Sequence, residues 1–89
     1  MIVFIDKSFV KDMNQIKDKK LRNSVADSIE MVEAASNLDA VKGLKKLTGY
    51  KKEFRIKIAD FRIGIIVEKG KVTFVRFLHR KDIYKYFPK

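Results

Sequence analysis

At 89 residues, with no cysteine, one proline and a formal net charge of +10, the chain is neither a disulfide scaffold nor a thiol enzyme nor a disordered tract. That length makes one domain, residues 1–89, which buries roughly 60–65% of its unfolded surface. The charge is uneven: residues 1–40 carry six Lys/Arg against seven Asp/Glu, and residues 41–89 carry fifteen against four. A half so basic favours a polyanionic partner, nucleic acid first and an acidic protein second.

In chain order, the run Ile2-Val3-Phe4-Ile5 reads as a buried strand. It ends at Asp6, too short for a signal peptide or a membrane span, and the missing cysteines suit a cytoplasmic protein. Ser8 is a helix N-cap candidate, followed by Phe9, Met13 and Ile16 at helical spacing. Asp18 caps a second, longer helix in which Leu21, Val25, Ile29 and Val32 repeat every three or four residues, fading near Ala35-Ser36-Asn37. These apolar stripes fit a cover for a sheet better than a partner-binding face. Leu38, Val41, Leu44 and Leu47 suggest a further short helical turn, interrupted by Gly43 and Gly49.

Strands then follow at Phe54–Ile58, Phe61–Glu68 and Lys71–Leu78, with Ala59-Asp60 and Lys69-Gly70 as the turns. A two-residue turn at Ala59-Asp60 sets Ile58 opposite Phe61, Lys57 opposite Arg62, Ile56 opposite Ile63 and Arg55 opposite Gly64. Cross-strand partners share a face, so Phe54, Ile56, Ile58, Phe61, Ile63 and Ile65 line one side. Arg55, Lys57 and Arg62 gather on the other, where three cations repel one another unless an anion or solvent intervenes. Across Lys69-Gly70 a simple register pairs Val67 with Val72 and Ile65 with Phe74, but puts Arg76 on the core face. Either a bulge shifts the last strand or Arg76 lies beyond the helices' cover. The segment His79–Pro88 reads as one helical turn stopped by the proline, anchored by Ile83 and Phe87 with Tyr84 on another side.

Four segments in order carry a family resemblance: Leu44-Lys45-Lys46-Leu47-Thr48-Gly49-Tyr50, Phe54-Arg55-Ile56-Lys57-Ile58, Asp60-Phe61-Arg62-Ile63 and His79-Arg80-Lys81-Asp82-Ile83-Tyr84. They resemble the K-L-x-G, Y-R-I-R, G-D-Y-R-I and H-R-x-D-I-Y segments of the RelE/ParE superfamily of toxins. Phe54 and Phe61 stand where that family has tyrosines. Ala59 stands where it has glycine, which argues for a looser turn than the two-residue one, since a side chain is unfavourable at positive φ. The resemblance implies an α+β fold: an N-terminal strand, two antiparallel helices on one face of a twisted, mainly antiparallel four-stranded sheet, and a short C-terminal helix.

It also implies the toxin of a type II toxin–antitoxin pair, an endoribonuclease that cuts messenger RNA in the ribosomal A site without a metal or other cofactor. Its partners would be a cognate antitoxin and mRNA on the ribosome, with no membrane contact. In such chemistry the RNA 2′-hydroxyl is the nucleophile, so the protein must accept a proton, stabilise a phosphorane and protonate the leaving 5′-oxygen. By position Arg62 and Arg80 resemble the phosphate and transition-state binders, for which planar guanidiniums are suited. Lys57 is the candidate for activating the 2′-hydroxyl, Arg55 for positioning phosphate, and Tyr84 for base stacking or proton transfer. His79, the one imidazole, is a candidate general acid, although a lone histidine at a strand end is more often structural. Lys45, Lys46, Lys51 and Lys52, with Lys42, read as a solvated surface that attracts RNA. Asp60 and Asp82 read as turn caps. Two other classes stay open: a ParE-like toxin that inhibits DNA gyrase and cuts no RNA, and an inactive basic binding module.

Overall fold

The computed structural model describes residues 1–88. Its elements are strand β1 (Ile2–Ile5), helix α1 (Lys7–Met13), helix α2 (Lys19–Ala34), a 3₁₀ turn (Leu38–Ala40), strands β2 (Leu44–Lys46), β3 (Glu53–Ile58), β4 (Phe61–Glu68) and β5 (Lys71–His79), and helix α3 (Ile83–Tyr86). The strands form one sheet in the order β1-β5-β4-β3-β2, antiparallel except where β1 runs parallel to β5. The α+β architecture is the expected one with one strand more. Leu44–Lys46, expected in a helical turn, pairs instead with Phe54–Ile56 and makes the sheet five-stranded. Gly43 at φ +82° turns the chain into that strand, and local helical spacing lost to an available sheet edge.

Alternation on β3 and β4 builds the core. Ile56, Ile63 and Ile65 are fully buried on the helix-covered face, and Val72, Phe74 and Phe77 of β5 join them. Phe9 of α1 meets Phe74 edge-on at 5.6 Å between ring centroids, while Val25 and Val32 of α2 complete the layer. Each such side chain contributes about 1.5–3 kcal/mol by leaving water. Helix α2 starts at Asp18, whose carboxylate accepts from the Leu21 N–H at 3.1 Å. Helix α1 is capped by Asp6 and not by Ser8: the Asp6 side chain accepts from the Ser8 N–H.

Ser8, whose N–H and hydroxyl both lie in hydrogen-bond contact with Asp6, has a further task because β1 ends beside Phe74. Beyond that point the edge of β5 has no neighbouring strand, and α1 supplies partners for its backbone. The Ser8 hydroxyl donates to the Val75 carbonyl at 2.6 Å, and Asp12, one turn on, accepts from the Phe77 N–H at 2.9 Å. Asp12 also takes two hydrogen bonds from Arg76, at 2.8 and 3.0 Å. This pairing holds the Arg76 guanidinium above its ordinary pKa despite partial burial.

The ambiguity at Arg76 is resolved by a bulge. Ile65 pairs with Phe74 but Gly64 pairs with Arg76, so Val75 is the extra residue. The shift keeps both Phe74 and Phe77 in the core and turns Arg76 to the outer face. A second apolar cluster forms on that face, where Leu47, Ile83 and Phe87 pack with Ile66, Val75 and Leu78. Gly64 makes this possible: a Cβ there would lie 2.6 Å from the Phe87 ring. Close approach of an aromatic ring and a bulge therefore both meet at this glycine.

Candidate functional site

The hairpin turn is the tight two-residue form. Ala59 takes φ +51° and the pairing Ile58–Phe61, Lys57–Arg62, Ile56–Ile63, Arg55–Gly64 follows directly. The looser turn argued from Ala59 does not occur, because the strand ladder on both sides holds the alanine at positive φ. Lys45 of β2 pairs with Arg55, so Lys45, Arg55, Lys57 and Arg62 share the outer face. Directly opposed side chains in such a ladder start about 5 Å apart at Cβ.

The guanidiniums are braced by backbone oxygens. Arg62, half-buried, donates through Nη1 to the Ala59 carbonyl at 3.0 Å and to the Phe61 carbonyl at 2.8 Å. Arg55 donates through Nη1 to the Gly43 carbonyl at 2.6 Å. Arg80 is exposed just after β5, and its own N–H donates to the Asp60 carbonyl at 2.8 Å. Thus the β3–β4 turn is gripped twice, by the Arg62 side chain and by the Arg80 backbone, and the two arginines are held at the same end of the sheet. Neither carboxylate oxygen of Asp60 is needed for that grip.

Helix α3 closes the other side. Ile83 and Phe87 are buried and Tyr84 projects into solvent, as the sequence indicates. Lys45, Lys46, Tyr50, Arg55, Tyr84 and Phe87 line a cleft of about 390 Å³ between α3 and the β2 end of the sheet. Arg76 reaches from the Asp12 pair to within 5.2 Å of the Tyr86 ring, tying α3 back to α1. Arg76 stands out in the sequence only as a misfit in the strand register, and Tyr50 only by closing the first of the four segments, directly after Gly49.

Other candidates lie elsewhere. His79 pairs with Phe61, edge-on at 5.5 Å, and so belongs to the helix-covered face; its Nδ1 accepts from the Lys81 N–H at 3.1 Å. Lys51 is exposed in the β2–β3 loop, and Lys52 forms an exposed ion pair with Glu68 at 3.4 Å. Asp82 likewise pairs with Lys85 at 3.5 Å. Lys57 stands on the outer face but also borders a groove of about 890 Å³ between α2 and β3, beside Leu21, Ser28, Met31 and Gly43. Among the described residues no three His, Asp or Glu side chains cluster so as to hold a metal ion. No helix among them is long and apolar enough to cross a membrane.

Comparison with known proteins agrees with this fold. Residues 3–84 match the family described as ParE toxin of type II toxin-antitoxin system, parDE. Toxin RelE3 of Methanocaldococcus jannaschii is 38% identical over 89 residues, covering 99% of this chain and all of the relative. The crystal structure of a RelB-RelE antitoxin-toxin complex from Methanococcus jannaschii superposes with a TM-score of 0.81 at 35% identity, over 96% of this chain and 99% of the other. The Escherichia coli DinJ-YafQ complex, at 15% identity, shares the fold with a TM-score of 0.64 over 92% and 96%. The chain belongs to the RelE/ParE superfamily, as a RelE-like toxin of a type II toxin–antitoxin system.

Proposed function

We propose that this toxin is a metal-independent endoribonuclease that cleaves messenger RNA in the ribosomal A site, in the cytoplasm, by attack of a 2′-hydroxyl on the adjacent phosphate. The observation that carries the reading is the pairing of Lys57 with Arg62 on a face where Arg80 is tied to the same turn. In this reading Lys57 takes the proton of the 2′-hydroxyl as its oxygen bonds to phosphorus. Arg62 and Arg80 donate to the non-bridging oxygens, where negative charge grows in the transition state. The bond from phosphorus to the 5′-oxygen breaks, and Tyr84 either delivers the proton to that oxygen or stacks on a neighbouring base. Arg55 positions the phosphate. His79, turned to the other face, serves the fold.

Single-turnover cleavage of a defined message on programmed ribosomes tests the mechanism. The products expected are a 2′,3′-cyclic phosphate or 3′-phosphate and a 5′-hydroxyl, and a phosphorothioate at the scissile phosphate gives no rescue by a thiophilic metal ion. A 2′-deoxy nucleotide at the scissile position abolishes the reaction. Products with a 3′-hydroxyl, or a requirement for magnesium at the scissile phosphate, overturn it.

We further propose a cognate antitoxin as partner, since the archaeal relative was crystallised as an antitoxin-toxin complex. An acidic or amphipathic segment that folds on the basic face would neutralise it. Co-expression then restores growth, and Arg62 or Tyr84 loses solvent access in the complex. The family description itself names parDE, which favours one second reading, a gyrase-directed toxin. Inhibition of DNA supercoiling with intact messages would select it.

A further inference from the structure

Two aromatic rings in the 390 Å³ cleft have no part in holding the fold. Tyr50 is 46% and Tyr84 58% exposed, and among the described residues neither side chain makes a hydrogen bond, ion pair or ring contact. Single exposed tyrosines are ordinary. Two on one concave surface, flanked by cations, form a different kind of feature. Both rings stand on fixed supports. The Tyr50 N–H donates to the carbonyl of Leu47, and Leu47 is sunk in the outer-face apolar cluster. Tyr84 is carried between Ile83, fully buried, and Phe87, 2% exposed. Phe87 gives the cleft an apolar floor seated on Gly64. The rim is cationic, with Lys45 and Arg55 paired across the β2–β3 ladder and Lys46 beside them.

Aromatic walls, an apolar floor and a cationic rim suit a flat ring joined to a phosphate, the combination offered by single-stranded RNA. An acidic peptide would satisfy the cations but leave two ring faces without a stacking partner. The volume is at the lower end of the range that holds a small ligand. Arg55 precedes Lys57 by two residues on β3, about 7 Å along the strand, so a base in the cleft would neighbour a phosphate at the Lys57–Arg62 pair.

We propose that the cleft is a nucleobase-stacking subsite, in which Tyr50 and Tyr84 hold a base whose phosphate is bound by Arg55 and Lys45. The proposal rests on the reading that this face binds RNA and adds Tyr50 as a binding residue. Stacking tolerates any base, so the subsite contributes affinity with little sequence preference.

The test is fluorescence polarisation with a labelled, fully 2′-O-methylated trinucleotide, which binds but cannot be cut. Tyr50→Ala weakens binding by about five- to a hundredfold, and Tyr50→Phe, which keeps the ring, restores it. Circular dichroism confirms that both variants fold. The slope of affinity against salt stays the same in Tyr50→Ala and falls by about one ion in Lys45→Ala. A trinucleotide abasic at each position in turn identifies the stacked base: at one position the wild-type protein binds no better than Tyr50→Ala. Equal affinity of wild type and Tyr50→Ala, or no dependence on any base, overturns the subsite, as does failure of the wild-type protein to bind. Cleavage of messages with Tyr50→Ala binding unchanged removes the subsite and leaves the nuclease reading. Base-dependent binding without cleavage does the reverse.

Discussion

The two faces of the β3–β4 hairpin share one backbone and differ in almost everything else. On the helix side Ile56, Ile63 and Ile65 are fully buried under α1 and α2. On the outer side Arg55, Lys57 and Arg62 face solvent or bond to carbonyls, while Gly64 is covered by Phe87 and Ile66 packs in the apolar cluster beside it. The apolar face is fixed by packing, which is dense and unforgiving. On the polar face Arg55 and Arg62 are fixed by hydrogen bonds to backbone carbonyls that engage only the Nη1 of each guanidinium. Substitutions on the first face should therefore cost stability, and on the second, activity.

The largest effect expected is on the packed side. Phe74→Ala removes a ring that touches Phe9 and leaves a cavity, so it should destabilise by about 3–5 kcal/mol in urea unfolding. A loss below about 1 kcal/mol would mean the helix layer is loose. Next comes Arg80→Ala on the polar side. Arg80 is exposed and only its backbone braces the turn, so single-turnover cleavage should fall by on the order of 100-fold while the unfolding midpoint stays put. A matched fall in stability would place Arg80 among the structural residues.

Gly64→Ala crosses the boundary between the faces. The new methyl meets the Phe87 ring, so α3 must shift, at about 1–3 kcal/mol. Because Tyr84 rides on α3, cleavage should fall as well, and adding Phe87→Leu should recover part of both losses. Losses that simply add in the double variant would show that the two residues do not act through one contact. The smallest effect is expected for Lys52→Ala, whose ion pair with Glu68 is exposed on both sides. It should change stability by less than about 0.5 kcal/mol and act on association with ribosomes only through net charge.

Much of this was legible in the chain itself. The alternation through Phe54–Ile65 dictated both strands and which side chains share a face, because side-chain direction in a strand has a period of two. The register that brings Arg55, Lys57 and Arg62 together needed the tight turn at Ala59, which the strand ladder decided. The spacing of Val25, Ile29 and Val32 after Asp18 likewise determined a covering helix. What local pattern could not decide were contacts between distant segments. Leu44–Lys46 became a strand because β3 offered an edge, not through its own spacing. Ser8 and Asp12 serve the edge of β5 more than sixty residues away, and the bulge at Val75 reconciles Phe74 and Phe77 with a single core. His79 fell on the helix-covered face for the same reason: its register against Phe61 is set through that bulge. The cleft of Tyr50 and Tyr84 exists only because Phe87 docks on Gly64, and a glycine's emptiness becomes a binding surface only when a distant ring fills it. Periodicity is a local property of the backbone, whereas edges, bulges and docked rings depend on which surfaces meet after folding.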